Sequence, residues 1–324
     1  MIHDKGVLTI AHTKVKYARQ AVNLARSIRY HTPDIILAVA TDLEARYFQG
    51  LFDLVIPWDF REFPSILCKL ELDRITPFET TLFVETDCLA VRSLQPVFEY
   101  FEGPEFAVFG RNVPTLHYFQ SLELIQALVP SATYPLFNGG LYYFKRGTLA
   151  ERVFDTAREF LPRYDEFRLN RVYHSLRNKR GTPCDEPLIG LAMAKAGVKA
   201  LDDPRLDIMF APEPPHYQIN IDVLKGACSF VRSGKLRHPI LPHFVGARDS
   251  MYPYLRETLR LEAISGVRRL PRWKDRILCA RAYMTAQYLR LTRQTRDRGD
   301  RLRELMLRLR GRPFVPGDWS TEAS

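Results

Sequence analysis

The chain has 324 residues, 46% hydrophobic and 12% aromatic, which is enough apolar material for a sizeable core. No run reaches the roughly 18 apolar residues of a membrane-spanning helix, and no basic segment precedes a long apolar one as in a secretory signal. The five cysteines are widely spaced and odd in number, which is typical of reduced thiols in a cytoplasmic protein rather than of a disulfide or zinc framework.

The net charge of +10 is distributed unevenly along the chain. Residues 251–312 carry 17 Lys or Arg and 6 Asp or Glu, a net charge of +11, so the remainder sums to about −1. Any role of the basic charge therefore belongs to the C-terminal part of the protein.

The first 250 residues alternate short apolar runs with helical patterns, which predicts an α/β fold with a mostly parallel sheet flanked by helices. Strands are predicted at 7–11, 35–40, 54–57, 80–84, 106–110 and, after a turn that begins at residue 137, up to residue 144. Helices are predicted at 17–30, 65–75, 94–101, 148–161 and 186–195.

Beyond residue 250 the pattern changes, since apolar residues recur at helical spacing and arginines occupy the other faces. This predicts a basic helical extension over 251–312, followed by a flexible tail over 313–324. The extension either packs on the preceding domain or docks on an anionic membrane surface. Nucleic-acid binding is not expected, because the segment shows no zinc spacing and no RNA-binding signature.

Two acidic residues directly follow the predicted strand 80–84. Glu85 and Asp87 are separated by one residue, so both side chains point to the same face if the strand continues straight. Ligands of open α/β sheets bind at the carboxyl ends of strands, and hard divalent cations bind carboxylates together with substrate phosphates. The pair predicts a metal site there; the alternative is a turn held by salt bridges.

Three further features are candidates for the same site. His243 follows a short apolar run and precedes Gly246, so its imidazole can serve as a metal ligand. Asn138 and Gly139, with a second glycine after them, form a turn that brings backbone close to a ligand. The last feature, Asp185 at a predicted helix start, either caps that helix or takes part in catalysis.

Taken in this order, the residues between 7 and 246 resemble glycosyltransferase family 8 and its GT-A-fold relatives. The resemblance implies that Tyr17 stacks on the nucleotide base, that Lys69 is the basic residue before the metal strand, and that Glu85-Thr86-Asp87 stands for the metal motif Asp-x-Asp. His243 is then the third metal ligand, and Gly246 lies in the phosphate segment.

The remaining matches concern the transferred sugar. Asn138 and Gly139 correspond to the turn that faces the sugar, and Asp185-Glu186 corresponds to an Asp-Gln pair near the reaction centre. Where the family has a lysine after the phosphate segment, this chain has Asp249, and Arg248 beside it is expected to hold the diphosphate instead.

The resemblance implies a hexosyltransferase that uses Mn²⁺ or Mg²⁺ and a nucleotide-sugar donor, expected to be a UDP-sugar. The acceptor would be a saccharide or glycolipid, and transfer would retain the anomeric configuration. The expected location is the cytoplasm, with peripheral contact to the inner membrane face if residues 251–312 bind anionic lipid.

Two alternatives remain open from the sequence. A nucleotidyltransferase would share the sheet and the metal chemistry, although the segment 11–17 lacks the glycine-rich phosphate loop that it would need. A catalytically inactive GT-A-fold protein that binds a sugar or a partner is also compatible with the replacements Glu85 and Glu186.

Overall fold

The computed structural model describes residues 2–114, 122–129, 131–167, 183–202, 206–212, 219–245 and 252–265, with isolated positions between 277 and 287. The described strands are β1 His3–Ile10, β2 Ile36–Thr41, β3 Leu54–Pro57, β4 Phe78–Val84, β5 Phe106–Ala107, β6 Gly110–Pro114, β7 Thr133–Phe137, β8 Leu141–Lys145, β9 Met209–Phe210, β10 Asn220–Asp222, β11 Ala227–Arg232, β12 Lys235–Arg237 and β13 Leu241–Pro242. The described α-helices are α1 Val15–His31, α2 Leu72–Ile75, α3 Gln95–Tyr100, α4 Leu122–Leu128, α5 Thr148–Phe160, α6 Asp185–Lys195 and α7 Tyr252–Ser265.

A six-stranded sheet forms the centre, in the order β3-β2-β1-β4-β8-β5. The pairs β3-β2, β2-β1 and β1-β4 are parallel, whereas β8 runs antiparallel to both of its neighbours. The prediction of an α/β fold with a mostly parallel sheet is confirmed. The chain proceeds from β1 outward to β3 and then returns to the other side of β1, so the connections reverse direction between β1 and β4.

Both faces of this sheet are covered, which explains why its strands are almost continuously apolar. Successive residues of β1 alternate between two cores: Val7 packs on the α1 side, and Leu8 packs on the side of α5 and α6. A third, smaller apolar cluster joins β10 and β11 to Phe244 and helix α7.

Two predicted elements differ in detail from the structure. Residues 65–75 form a 3₁₀ helix, Ser65–Glu71, before the single α-turn of α2. Tertiary contacts hold this backbone, because the carbonyl oxygens of Ser65 and Leu70 accept bonds from the side chains of His12 and Arg158. The predicted strand 106–110 is divided, since β5 joins the central sheet and β6 pairs with β7.

Helix α7 is the described part of the predicted basic extension. It packs through Tyr254 on Phe244, with ring centroids 5.0 Å apart, and its buried Glu257 accepts a 2.8 Å hydrogen bond from the backbone of Val223. Arg260 pairs with Asp222 and Glu257 at 3.0 Å. The first turns of the extension therefore pack on the preceding domain, and membrane docking by residues 266–312 stays a prediction.

Among the residues that the structure describes, no helix combines the length and apolarity needed to cross a membrane.

Candidate functional site

The site lies where the carboxyl ends of β1 and β4 meet. These strands pair in parallel, with Leu8 opposite Phe83, so the segments that follow them leave the sheet at the same edge. The connections reverse direction at this point, and such a reversal opens a crevice between the two following loops. The sheet topology thus brings the segment after β1 close to the acidic segment after β4.

The two acids after β4 converge on one histidine. The strand ends at Val84 and residues 85–88 turn, so period-2 alternation does not apply to them. Nevertheless Glu85 Oε2 lies 3.2 Å and Asp87 Oδ1 lies 2.9 Å from His243 Nε2. His243 is held there by a bridge to the residue after Asp87, in which Phe244 N–H donates to Asp87 O at 2.9 Å.

The orientation of the His243 ring follows from the hydrogen bonds of Asn138. Asn138 Oδ1 accepts the backbone N–H of Gly140 at 2.9 Å, which identifies that atom as the amide oxygen. The same oxygen lies 2.8 Å from His243 Nδ1, so Nδ1 must carry the hydrogen. In the neutral ring, the lone pair therefore lies on Nε2 and faces the two carboxylates.

Two atoms of this cluster lack hydrogen bonds. Asp87 Oδ1 and His243 Nε2 are both buried, and neither forms a hydrogen bond with the residues the structure describes, despite their 2.9 Å separation. A buried oxygen and a buried nitrogen without partners are unfavourable unless something positive bridges them. This arrangement fits a cation.

The pKa values agree with this interpretation. Burial lowers the pKa of His243, but the carboxylates of Asp87 and Glu85 outweigh that effect and raise it to about 10. Burial likewise opposes ionisation of Glu85, yet Lys69 and His243 lower its pKa to about 2. At Asp87 burial prevails and raises the pKa. The cluster thus favours a positive charge at Nε2, carried by a proton or a metal ion.

Lys69 connects this cluster to the helix α6 carboxylates. It is 5% exposed, and its Nζ lies 2.9 Å from Gly139 O, 3.1 Å from Asp185 Oδ2 and 3.4 Å from Glu85 Oε1. Burial by itself lowers the pKa of Lys69, but Asp185 and Glu85 raise it well above its usual value, so the amine is charged.

Asp185 is the first residue of α6, and the capping interpretation is wrong. The residue at the N-cap is Cys184, and it makes no side-chain cap bond. The carboxylate of Asp185, 1% exposed, instead accepts a 2.6 Å bond from the hydroxyl of Tyr142 in addition to its contact with Lys69. Tertiary partners with a full charge or a hydroxyl outcompete the backbone of the first helical turn.

The glycines between Asn138 and β8 are required by space. A Cβ on Gly139 would lie 2.8 Å from Asp185 Oδ2, and one on Gly140 would lie 2.7 Å from the ring of His243. The backbone N–H of Gly139 also donates to Glu186 Oε1 at 2.7 Å. Burial and the neighbouring Asp185 raise the pKa of Glu186 to about 7.

Tyr17 lies at the start of α1, half-buried, on the segment that follows β1. Its ring stacks with that of His12, with centroids 6.2 Å apart and planes at 18°. His12 is itself bound through Nε2 to the carbonyl of Ser65 at 3.0 Å, at the start of the 3₁₀ helix that carries Lys69. The predicted base-stacking and charged residues are thus linked through His12.

The structure brings most of the predicted residues together. A connected set of contacts joins Asp87, Glu85, His243, Asn138, Gly139, Lys69, Asp185 and Glu186. Gly246 and Arg248 lie outside the described residues, so their predicted role in phosphate binding stays a prediction.

Three residues at the site were not predicted from the sequence: His12, Tyr142 and Cys88. Tyr142 stands in an aromatic strand and is indistinguishable there from core residues. Cys88 directly follows Asp87, and its thiol lies near Asp87 and His243. Only proximity to the acidic pair could have singled it out.

No protein family defined by sequence and no characterised protein sequence matches the chain. Solved structures do match. The galactosyltransferase LgtC in complex with donor and acceptor sugar analogues aligns over 82% of this chain and 98% of its own, with 16% identity and a TM-score of 0.52. An active-site mutant of LgtC aligns over 83% and 99%, with 16% identity and a TM-score of 0.54.

The fold is that of the GT-A glycosyltransferases. The predicted resemblance is thereby confirmed at the level of the fold. Within the GT-A fold of this chain, the cluster around His243 and Lys69 lies at the carboxyl end of β4, beside the point where the connections of the sheet reverse.

Proposed function

We propose that the chain is a divalent-metal-dependent hexosyltransferase that transfers a hexose from a nucleotide-sugar, expected to be a UDP-sugar, to a saccharide or glycolipid acceptor. We further propose Mn²⁺ or Mg²⁺ as the metal and retention of the anomeric configuration. The GT-A fold supports nucleotide-sugar chemistry, and the LgtC structure named above holds donor and acceptor sugar analogues.

One observation carries the proposal: the Nε2 lone pair of His243 faces two carboxylates. Asn138 fixes the hydrogen on Nδ1, so the neutral ring and the anionic oxygens of Glu85 and Asp87 would repel each other unless a positive ion lies between them. An imidazole whose far nitrogen is fixed by a hydrogen bond, together with carboxylates, is a usual set of metal ligands. The residues present therefore fit a divalent cation.

When bound, the cation would neutralise the charge that develops on a departing nucleoside diphosphate. Asp87 and His243 would hold it, and Glu85 would contact either the metal or the ribose. Lys69 adds a buried positive charge on the same side, kept in place by Asp185 and by the carbonyl of Gly139. Buried, pre-oriented charges of this kind stabilise a transition state without reorganisation.

The sugar would lie against the turn of Asn138 and Gly139. The amide nitrogen of Asn138 makes no hydrogen bond with the described residues, whereas its oxygen is bound twice, so the NH₂ group is available to a sugar hydroxyl. Gly139 allows the sugar to approach the backbone closely. Asp185 lies behind this turn, where its carboxylate would flank the anomeric carbon as that carbon gains positive charge.

Tyr17 supplies the aromatic surface for the base. It stands on the segment after β1, across the sheet edge from the metal ligands, and its ring is half-buried and stacked on His12. Desolvation lowers the pKa of His12, so that ring is neutral at pH 7 and stacks without bringing a charge to the base. Base and diphosphate would thus bind at adjacent strand ends.

A panel of nucleotide-sugars tests the proposal. Release of nucleoside diphosphate would be measured for each donor with Mn²⁺, with Mg²⁺ and with a chelator. We expect hydrolysis of at least one donor, its loss with the chelator, and its loss in Asp87→Asn, because one ligand oxygen is replaced by a neutral amide group.

The matched control is Asp34→Asn, an exposed aspartate before β2 at the opposite end of the strands, which should keep the wild-type rate. Metal-dependent hydrolysis that survives in Asp87→Asn would show that the metal site is misassigned. If no donor in the panel is hydrolysed under any condition, the enzymatic assignment fails.

A further inference from the structure

A buried thiol adjoins the proposed metal ligands. Cys88 is completely buried and lies directly opposite His243 in an isolated antiparallel bridge. Hydrogen bonds on either side of the bridge hold it, from Phe244 N–H to Asp87 O at 2.9 Å and from Leu89 N–H to Pro242 O at 3.3 Å. Residues that oppose each other in an antiparallel pair project from the same side, so the thiol and the imidazole share one face.

The three side chains present their ligand atoms to a common point. The Sγ of Cys88, a carboxylate oxygen of Asp87 and a ring nitrogen of His243 all lie within 4.8 Å of one another. A tetrahedral ion with ligands at about 2.0–2.3 Å requires ligand atoms about 3.3–3.8 Å apart, so small side-chain rotations suffice. Independently, Asp87 Oδ1 and His243 Nε2 lack hydrogen bonds among the described residues.

We propose that Cys88 is a metal ligand, and that the Asp87–Cys88–His243 centre selects Zn²⁺ or Co²⁺ over Mg²⁺. The inference rests on the proposed function for the presence of a divalent metal at this site. A set of one thiolate, one imidazole and one carboxylate suits borderline-soft ions, whereas Mg²⁺ takes only oxygen ligands and keeps several waters. On binding, the S–H bond breaks, a sulfur–metal bond forms, and the proton leaves to solvent.

The selection has a structural reason. The backbone bridge between Cys88 and His243 is rigid, so the two side chains cannot separate without breaking main-chain hydrogen bonds on both sides. A hard ion that binds Asp87 would keep an unfavourable sulfur neighbour, while a thiophilic ion gains a ligand.

Cobalt spectroscopy tests the proposal directly. The full-length protein would be titrated with Co²⁺, and the thiolate-to-cobalt charge-transfer absorption in the near ultraviolet would be recorded. We expect this band in the wild type, its loss in Cys88→Ser, and its retention in Cys228→Ser, a matched buried cysteine in the β10–β11 sheet. The wild-type band is informative even if Cys88→Ser does not fold.

Calorimetric titrations supply the second readout. Removal of a ligand should weaken Zn²⁺ binding at least as much as removal of an outer partner, roughly 10- to 100-fold, and leave Mg²⁺ binding unchanged. If the wild type hydrolyses a donor with metal but shows no charge-transfer band, the role of Cys88 is overturned and the proposed function stands. If it binds no divalent metal at all, both are overturned.

Discussion

Replacing Lys69 by methionine tests whether this lysine is the buried counter-ion of the site. Methionine keeps most of the side-chain volume and removes the charge that lies 3.1 Å from Asp185 and 3.4 Å from Glu85. The loss of one partner of a buried ion pair typically destabilises a protein by about 3–5 kcal/mol, because the remaining charge stays buried without compensation. We expect a loss of that size at pH 8, since Lys69 is 5% exposed.

The loss should depend on pH in a defined direction. In the wild type, Lys69 and His243 lower the pKa of Glu85 to about 2, so this carboxylate contributes stability above its unfolded pKa of about 4.3 and loses it as the pH falls towards 2. Without Lys69 the folded pKa of Glu85 rises, and each unit above the unfolded value removes about 1.4 kcal/mol at high pH. Lys69→Met should therefore be less destabilising at pH 5 than at pH 8.

Urea denaturation at pH 5 and pH 8 measures both quantities. The control is Lys225→Met, whose amine is 80% exposed and lies 4.0 Å from Asp222, and whose loss should change stability by less than about 1 kcal/mol at either pH. A loss below about 1 kcal/mol in Lys69→Met, equal at both pH values, would refute the assignment of Lys69 as a buried counter-ion.

Three further predictions rest on individual contacts. Tyr142→Phe removes the hydroxyl that orients Asp185, so kcat should fall roughly tenfold or more while KM for the donor changes little, as measured by steady-state kinetics. Gly140→Ala places a methyl group 2.7 Å from the His243 ring, and metal affinity measured by calorimetry should fall roughly 10- to 100-fold. Glu186, with its pKa raised to about 7 by burial and by Asp185, loses stability as pH rises from about 4.3 through 7, so Glu186→Gln should raise the Tm at pH 8 but not at pH 4.

Each of these substitutions has a matched control. Tyr30→Phe removes an exposed tyrosine hydroxyl far along α1, Gly103→Ala adds a methyl group that meets nothing within 4 Å, and Glu151→Gln neutralises an exposed glutamate on α5. All three should behave as the wild type. Unchanged kcat in Tyr142→Phe, unchanged metal affinity in Gly140→Ala, or an identical pH dependence of Tm in Glu186→Gln would each contradict the contact on which it rests.

Several features of the site were accessible to sequence reasoning because they depend on local pattern. The apolar run that ends at Val84 predicts a buried strand, and the acids after it are placed at its carboxyl end wherever that strand lies. The glycines after Asn138 predict a tight turn in the same way. Such residues are found because strand periodicity and backbone freedom are local properties.

The partners of these residues were not accessible, because they come from distant parts of the chain. Tyr142 and Asp185 are 43 positions apart, and Asn138 and His243 are 105 apart. An aspartate at a helix start is a cap by local rules, yet a charged lysine and a tyrosine hydroxyl take its carboxylate in the folded protein. Energies of buried charges depend on three-dimensional surroundings, which local rules do not contain.

The acidic segment Glu85-Thr86-Asp87 shows the division most clearly. Its position at the end of an apolar strand follows from the sequence, since hydrophobic burial determines which runs become central strands. The convergence of both carboxylates on His243 was decided only by tertiary structure, because the strand ends at Val84 and the bridge from Cys88 to His243 fixes the direction of the turn between them. The sequence by itself determined the strands and the residue types that they present at the sheet edge. The tertiary structure decided which of those side chains share a buried, low-dielectric space, where charges and lone pairs must compensate one another.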